Sequence, residues 1–370
     1  MDERPPPASA IRADHASGLG RLTLADVAQR AGVSRTTVSN AYNRPDQLSP
    51  AQRERVLRVA AELGYPGPDP MARSLRTRSA QAVGLIFSAQ LSHAFSDPAA
   101  VEFLHGVAQA CEERDRSLLL IPAGPDAANI AMITRAAVDG FLIYSMPDYD
   151  PHVDTVLGRP QSAVVVDSPT GLADVDFVGI DDRRAFYEMG CHLLGLGHRT
   201  LAVVSVGAGL RDQPDWSDFS TVPGGLHAVF RERVLGLGDA LTELGEPVRV
   251  VLGTGVVNSY EVGRAVAGEL VDSTVGATAV LCTSDVLAFG VLAELAHRGI
   301  DVPGQISVTG FDDVPDAVGR SLTTVAQPTH DKGYRAASMV LDRMAGDPVQ
   351  RLILPTRLVL RSTTASPRPR

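Results

Sequence analysis

Apolar residues recur at helical spacing near the start of the chain and in short continuous runs after it. The first helical pattern follows Thr23, a residue suited to cap a helix, and ends at Gly32-Val33-Ser34. In this tight turn the glycine can take a positive φ angle and the serine can cap a second helix over 35–42. A third helix begins at Ser49-Pro50, a capping serine before a proline, and stops at Gly64. This order predicts a helix-turn-helix followed by a supporting helix.

The second helix offers polar side chains that can contact DNA bases. Val38 and Ala41 are its inward-facing apolar positions, so most other positions face outward. Arginine, asparagine, serine and threonine can all form hydrogen bonds with base edges. The predicted DNA-binding residues of this region are Thr23, Ser34, Arg35, Thr36, Thr37, Ser39, Asn40 and Asn43.

From Ala82 onward, short apolar runs alternate with helical stretches. Continuous apolar runs indicate strands that are buried on both faces, which is typical of parallel sheets covered by helices. The predicted strands are 82–87, 118–121, 141–144, 163–167, 178–181, 201–206, 248–252, 279–282 and 306–310. The predicted helices are 99–114, 127–137, 185–194, 233–244, 262–271 and 286–298. Because 201–206 starts a second such unit, the sequence predicts two Rossmann-like lobes.

Charge divides the chain into a basic head and an acidic body. The net charge is −9 over 370 residues. Residues 21–78 contain ten arginines and five acidic residues, and residues 1–20 contain two arginines and three acidic residues, so residues 79–370 carry −13. This asymmetry confines nonspecific attraction to phosphate to one end of the chain. Lys332 is the only lysine beside 33 arginines, which we interpret as the compositional bias of a GC-rich genome.

Other features of the composition narrow the possible classes of protein. Cys111, Cys191 and Cys282 are widely spaced within apolar runs, so we expect reduced thiols in a cytoplasmic protein. We expect disordered tails at 1–20 and 366–370, and neither a signal peptide nor a membrane anchor. The histidines lack metal-binding spacing, and the glycine pairs lack the third glycine of a dinucleotide loop. We therefore expect no metal, no cofactor and no enzymatic activity.

The order of residues in the head resembles the LacI/GalR (lactose-repressor) family. The matching stretch reads T-L-x-D-V-A-x-x-A-G-V-S-x-x-T-V-S-x-x-x-N, followed by A-x-E-L-G-Y and A-R-S-L. The resemblance implies an all-α helix-turn-helix headpiece over 21–67, a hinge helix and linker over 68–79, and an α/β core over 80–365 like that of periplasmic binding proteins. It also implies that Leu75, flanked by Arg73 and Arg76, inserts into the minor groove of DNA.

The resemblance further implies a ligand site between the two lobes, where parallel strands end. Asp285 matches the family's effector-binding aspartate, and Arg233 matches its effector-binding arginine, whose fork of donors suits paired hydroxyls or a carboxylate. We interpret Asp312, in a G-F-D-D stretch, as part of a turn close to the cleft. Further candidates at strand ends or in the loop after the first strand are Phe95, Ser96, Asp167 and Asp181.

One loop is longer than the resemblance predicts. Residues 207–230 replace a short connection, and they contain Trp216, the only tryptophan in the chain. An indole face suits the apolar side of a sugar, so we hypothesise that this loop is a lid over the effector. We also expect 322–328 to cross between the lobes, and 357–361 to cross back toward the first lobe.

The sequence predicts a homodimeric, DNA-binding transcriptional repressor in the cytoplasm. It would hold a palindromic operator and respond to a small molecule, such as a sugar, a polyol, a nucleoside-like compound or a sugar phosphate, without contact with a membrane. A tetramer is not expected, because the C-terminal tail has no leucine heptads. The alternative is a sugar- or amino-acid-binding protein, or an enzyme, on the same core. A secretion signal would favour the binding protein and a catalytic constellation the enzyme, and neither pattern is present.

Overall fold

The fold was obtained as a computed structural model that describes residues 22–68, 79–87, 91–124, 127–207, 215–218, 227–255, 257–343 and 347–368. The chain forms two compact units, one up to Ser79 and one from Ala80. The predicted hinge residues Arg73, Leu75 and Arg76 lie outside the described residues. Within the described ranges, no helix is both long enough and apolar enough to cross a membrane.

The first unit is a bundle of three short helices. They are α1 (Leu24–Ala31), α2 (Arg35–Asn43) and α3 (Pro50–Leu63), with a 3-10 turn at Pro45–Gln47. The helices enclose a small core of Val27, Ala28, Val38, Ala41, Val56, Ala60 and Tyr65. This arrangement confirms the predicted helix-turn-helix and its supporting helix.

Local hydrogen bonds explain where these helices begin and end. Gly32 and Gly64 adopt φ angles of 63° and 72° at the ends of α1 and α3, a conformation that glycine reaches without strain. The Ser34 hydroxyl accepts a hydrogen bond from the Thr37 amide over 3.0 Å and so caps α2. Arg53 and Arg55 of α3 donate to the carbonyls of Ala41 and Ala31, so each satisfies a carbonyl in the last turn of α2 or α1.

The first lobe of the second unit is built on a six-stranded parallel sheet in the order β12-β5-β4-β3-β1-β2. Its strands are β1 (Ala82–Phe87), β2 (Ser117–Pro122), β3 (Gly140–Tyr144), β4 (Ser162–Val166), β5 (Asp176–Ile180) and β12 (Arg351–Leu354). Its helices are α4 (Leu91–Ala94), α5 (Pro98–Glu112), α6 (Ala127–Arg135), α7 (Pro151–Leu157) and α13 (Thr329–Asp342). The sequence did not predict α4, α7, α13 or β12.

The second lobe contains a five-stranded sheet in the order β10-β9-β6-β8-β7. The strands are β6 (Thr200–Val206), β7 (Asp215–Asp218), β8 (Arg249–Gly255), β9 (Ala279–Cys282) and β10 (Ser307–Thr309). The helices are α8 (Asp182–Gly195), α9 (Ala228–Leu244), α10 (Tyr260–Asp272), α11 (Asp285–His297) and α12 (Pro315–Gly319). All strand pairs are parallel except β7 with β8, so the predicted pair of Rossmann-like lobes is confirmed.

Short segments carry the chain between the lobes. β11 (Thr324–Ala326) leads from the second lobe into α13, and it pairs with the antiparallel strand β13 (Arg357–Val359). The predicted direction of 357–361 was wrong. β12 already belongs to the first-lobe sheet, and the chain then returns to the second lobe, where the amide of Val308 donates to the carbonyl of Thr363.

The C-terminal segment that was expected to be a disordered tail is described as far as Arg368. Its guanidinium lies 3.5 Å from the Asp301 carboxylate. The His198 ring contacts the carbonyl of Ala365 over 2.9 Å. These contacts hold the end of the chain against the second lobe.

Two glycines fix the crossing of α5 and α13. A Cβ atom at Gly106 would lie 1.9 Å from the carbonyl oxygen of His330, and one at Gly333 would lie 2.2 Å from that of Phe103. Neither position can hold a larger residue without moving backbone. The backbones of α5 and α13 are therefore held in close contact where the two helices cross.

Candidate nucleic-acid interface and ligand cleft

The headpiece has one concave polar face. Thr23, at the start of α1, lies beside the outer residues of α2, and together they line a depression of about 760 Å³. The residues predicted to bind DNA that share this depression are Thr23, Arg35, Thr36, Ser39, Asn40 and Asn43. The structure therefore collects on one surface most of the side chains singled out in the sequence.

Two of the predicted DNA-binding residues have a structural task in the helix itself. The hydroxyls of Ser34 and Thr37 lie 2.9 Å apart at the first turn of α2. Arg44, which the sequence analysis did not single out, lines the depression as well. Arg44 directly follows α2, one turn beyond Asn40, and this spacing could have indicated from the sequence that it lies on the same face.

The asparagines of the depression are held by neighbouring side chains. The Asn40 amide donates to the Gln47 side chain over 3.2 Å. The Asn43 amide donates to the Ser39 carbonyl over 3.0 Å. These contacts orient both amides before any base is bound, which favours readout of base edges by amide groups.

A cavity of about 380 Å³ lies between the lobes, at the carboxyl ends of their strands. Phe87, Tyr144 and Val206 line it from the ends of β1, β3 and β6. Its polar lining comes from both lobes and from the crossover: Asp97, Ser145, Asp167, Ser168, His227, Arg233, Asn258, Ser284, Asp312 and Gln327. Of the predicted effector residues, Asp167 and Arg233 lie in this lining.

Arg233 is almost fully buried and is held on three sides. Its Nε donates to the Asp182 carboxylate over 2.7 Å, and another guanidinium nitrogen donates to the Thr283 carbonyl. The guanidinium lies over the Phe311 ring, 3.6 Å from the ring centroid, and 3.7 Å from an oxygen of Asp312. Since these contacts leave the arginine little freedom, it presents a preformed cationic edge to the cavity.

A chain of hydrogen bonds runs along one wall of the cavity. The Lys332 ammonium contacts both oxygens of Asp167, at 2.8 and 2.9 Å, and the side-chain oxygen of Gln327, at 2.7 Å. The Gln327 amide nitrogen then donates to Asp312 over 2.6 Å. Asp312 therefore does more than shape a turn, because its carboxylate lies in the cavity wall.

A second polar contact joins the lobes on the other side of the cavity. Asn258, before α10, donates to the Asp97 carboxylate over 3.1 Å and accepts from the Ser284 hydroxyl over 2.6 Å. Asp97 also caps α5 by accepting from the Ala99 amide. None of these three residues was predicted from the sequence, although Asp97-Pro98 and Ser284-Asp285 both carry the signature of a helix start.

Burial changes the acidity of the cavity's carboxyl groups. Removal from water raises the pKa of Asp97 and that of Asp182, and it raises the pKa of Asp312 well above its usual value. The nearby Arg233 opposes each shift. Ligand groups that donate hydrogen bonds to these carboxyl groups would favour their charged form.

Asp285 does not line the cavity. It is fully buried, and its two oxygens accept hydrogen bonds from the Thr324 hydroxyl and the Val314 amide. Burial raises the pKa of Asp285 to about 7 despite these bonds. The matched family position thus lies behind the cavity, and its neighbour Ser284 faces it.

Three other predicted residues also lie outside the lining. Phe95 is 62% exposed, and the Ser96 hydroxyl donates to the Ser92 carbonyl on the surface. Asp181 is exposed and caps α8 by accepting from the Arg184 amide over 2.8 Å. The buried contact with Arg233 belongs to the next residue, Asp182, because the chain turns into α8 between the two.

The predicted lid contains a strand. Trp216 lies in β7, where its backbone pairs with Gly253 of β8, two residues before the end of that strand. Only the backbone of Trp216 is described, and residues 208–214 and 219–226 lie outside the described residues. The lid therefore remains a prediction, with part of the loop placed on the edge of the second-lobe sheet.

No metal centre is found in the part of the chain that the structure describes. There, no three histidine, cysteine, aspartate or glutamate side chains are grouped to hold an ion. Cys111 and Cys282 are buried, Cys191 is partly exposed, and all three are unpaired thiols. The polar groups of the cleft can bind a ligand by hydrogen bonds.

Each of the two units matches a known protein family. Residues 23–67 match the model for bacterial regulatory proteins of the lacI family, and residues 191–364 match a periplasmic binding protein-like domain. An HTH-type transcriptional regulator of Mycobacterium tuberculosis is 47% identical, covering 94% of this chain and 98% of the relative. The regulator IpsA of Corynebacterium glutamicum is 41% identical, covering 86% of this chain and 90% of the relative.

Solved structures show the same architecture. A LacI-family regulator from Corynebacterium glutamicum is 36% identical with a TM-score of 0.69, covering 92% of this chain and 98% of that one. The regulator CelR, solved with cellobiose, is 29% identical with a TM-score of 0.66, covering 93% of this chain and all of that one. With its helix-turn-helix head and two-lobed core, this chain belongs to the LacI family of bacterial transcriptional regulators.

Proposed function

We propose that this regulator binds a two-fold symmetric operator as a homodimer, and that an uncharged, hydroxyl-rich molecule in the interlobe cleft controls its affinity for that operator. The observation that carries the proposal is that the chain has both a concave face of polar side chains on its headpiece and a cavity lined by polar and aromatic residues between the lobes of its core. A helix-turn-helix dimer reads two half-sites whose symmetry mirrors its own.

The charges around the cleft select the chemical class of the effector. Four carboxylates, those of Asp97, Asp167, Asp182 and Asp312, surround the cavity or hold its cation, whereas the only cations in these contacts are Arg233 and Lys332. Both cations are already paired with carboxylates. The negative charge of a phosphorylated or carboxylated ligand would lie beside these carboxylates, which cannot donate hydrogen bonds to it. The hydroxyls of a sugar or polyol can donate hydrogen bonds to the same carboxylates.

The apolar part of the cavity supports the same class. Phe87, Tyr144 and Phe230 line it, and aromatic rings of this kind can pack against the apolar face of a sugar or a cyclic polyol. The volume of about 380 Å³ lies near the lower end of the range for small-molecule sites, so it suits a compact ligand. The cellobiose complex of the relative CelR is consistent with a carbohydrate-like effector.

The proposed mechanism is a shift between two arrangements of the lobes. A ligand that contacts both walls of the cleft favours the arrangement in which both walls can contact it at once. The ligand can change operator affinity only as far as it binds one arrangement of the lobes more tightly than the other. Leu75, Arg73 and Arg76 would carry this change to DNA by ordering in the minor groove when two chains are paired. We place this regulator in the cytoplasm, acting without catalysis.

Binding-site selection with the full chain tests the proposal. We expect a palindromic sequence to be recovered, and we expect uncharged sugars or polyols from a metabolite panel to change the affinity for it. Recovery of no sequence preference would overturn DNA reading by this head, and release by phosphorylated compounds alone would overturn the proposed effector class. Enzymatic turnover of a panel compound would instead favour the alternative function on the same core.

A further inference from the structure

We infer that Lys332 is a positioning residue that couples the two lobes, because its ammonium fixes Gln327 and, through Gln327, the carboxylate of Asp312. This inference rests on the proposed function, since Asp312 lies in the wall of the effector cleft. Lys332 itself does not line the cavity. It would act on the ligand only through the groups that it holds.

The ammonium of Lys332 is held by oxygen atoms of two residues. An ammonium ion has three N–H donors, and Lys332 contacts three oxygen atoms, two on Asp167 and one on Gln327. The residue is 1% exposed, so these contacts are largely shielded from solvent. An arginine guanidinium would bring five donors in a flat fork into the same space. This difference explains structurally why the only lysine of the chain is at this position, which genome composition does not.

The partners of Lys332 belong to different parts of the fold. Asp167 follows β4 of the first lobe, and Lys332 is on α13 of the same lobe. Gln327 lies in the crossover, just after β11, and Asp312 lies in the turn after β10 of the second lobe. The bonds therefore lead from the first lobe through the crossover to the second.

The orientation of the Gln327 amide follows from these two neighbours. Its oxygen must face the ammonium of Lys332, which can only donate, and its nitrogen must face the carboxylate of Asp312, which accepts. If the ammonium is removed, the amide loses the partner that fixes its orientation. The turn at 310–313 then loses support from the first lobe.

Hydrogen exchange on the full chain, without DNA or ligand, tests this coupling. The informative amides are those of Gly310 and Asp312, which donate to the carbonyls of Thr323 and Val325. Loss of the charge-assisted hydrogen bond from Lys332 to Gln327 in the Lys332→Met variant is expected to raise their exchange rates roughly tenfold.

Arg335→Met is the matched control for the lysine substitution. Arg335 lies on the same helix, is exposed, and pairs only with Asp331 in the described contacts. This variant should leave the exchange of the Gly310 and Asp312 amides unchanged.

A second variant covers the case in which an unpaired Asp167 prevents folding. Asp167→Asn combined with Lys332→Met leaves no unpaired charge, and it also removes the donor to Gln327. The same increase in amide exchange rate is therefore expected at 310–313. Faster exchange confined to 163–168 and 329–336, with Gly310 and Asp312 as in the wild type, would show a purely local role and overturn the inference. Failure to select an operator would overturn the proposed function and leave the exchange result unaffected.

Discussion

The Asp285 carboxylate accepts a hydrogen bond from the Thr324 hydroxyl over 2.6 Å, and both side chains are fully buried. This bond joins the start of α11 in the second lobe to β11 in the crossover. The other carboxylate oxygen accepts from the Val314 amide over 2.9 Å, close to the turn that contains Asp312. Asp285 thus supports the floor of the cleft from behind.

Asp285 should make stability depend on pH in a defined direction. Its pKa is raised to about 7 in the folded chain, so the folded state keeps a proton that the unfolded state loses near pH 4. The stabilising contribution of this proton is complete at low pH, and it is lost as pH rises from about 4 to about 7.

The Asp285→Asn variant isolates this effect. Its amide oxygen can accept from Val314, and its amide nitrogen can donate to the Thr324 hydroxyl, so both bonds are kept without a buried charge. The free energy of unfolding of the variant, measured relative to the wild type by urea denaturation, should rise between pH 4 and pH 7. The exposed Asp316→Asn serves as control, and a difference that stays constant with pH would contradict the assigned burial of the Asp285 charge.

The concave face of the headpiece should read base sequence. Replacing Thr36 or Asn40 by alanine is expected to change the preferred half-site and to weaken binding to the original site by about 1–3 kcal/mol for each base-specific hydrogen-bonding interaction removed. Binding-site selection measures both effects. Gln29→Ala, an exposed substitution outside this face, should change neither the preferred half-site nor the affinity. Equal weakening of binding to every DNA sequence would mean that Thr36 and Asn40 contact only the DNA backbone.

Leu75 is predicted to wedge open a base step of the operator. The Leu75→Ala variant should then lose operator affinity and DNA bending together, because the apolar side chain is what unstacks the bases. Gel phasing measures the bend angle, and the ligand affinity of the core provides the control. An unchanged bend would rule out the wedge.

Trp216 is predicted to report on the cleft through the loop that carries it. Its backbone lies on β7, close to the end of β8 at the cleft, and it is the only tryptophan in the chain. Its fluorescence should therefore change when an effector binds, and Trp216→Ala should bind that effector more weakly. A compound that releases the operator while leaving both the emission and the affinity of the variant unchanged would remove the lid hypothesis.

The sequence predicted the architecture well because the signals that specify it are local. Helix caps such as Ser34 and glycine stops such as Gly32 lie next to the elements that they bound, and continuous apolar runs identify buried parallel strands. β12 was missed because only the tertiary fold brings it beside β5. The short, partly exposed run at 351–354 has no apolar periodicity of its own.

The cleft was harder to predict, because which of two adjacent residues faces a cavity depends on backbone geometry. Asp181 and Asp182 differ by one position, and the turn into α8 sends one carboxylate to solvent and the other to Arg233. Ser284 and Asp285 divide in the same way between the cavity and the layer behind it. Lys332 was interpreted as compositional bias because its partner Asp167 is 165 positions away in the chain.

Operator release by uncharged hydroxyl-rich compounds, measured by fluorescence anisotropy with the wild type and with Asp312→Asn, tests the central claim most directly. An asparagine at this position can still accept from Gln327, so the variant should fold and bind the operator, but it loses the carboxylate offered to the effector. We expect an active sugar or polyol to change wild-type operator affinity by roughly 5–150-fold, and we expect Asp312→Asn to need about tenfold more of it, while Asp316→Asn behaves as the wild type. An identical response of Asp312→Asn, or a response of the wild type to anionic compounds alone, would contradict the account.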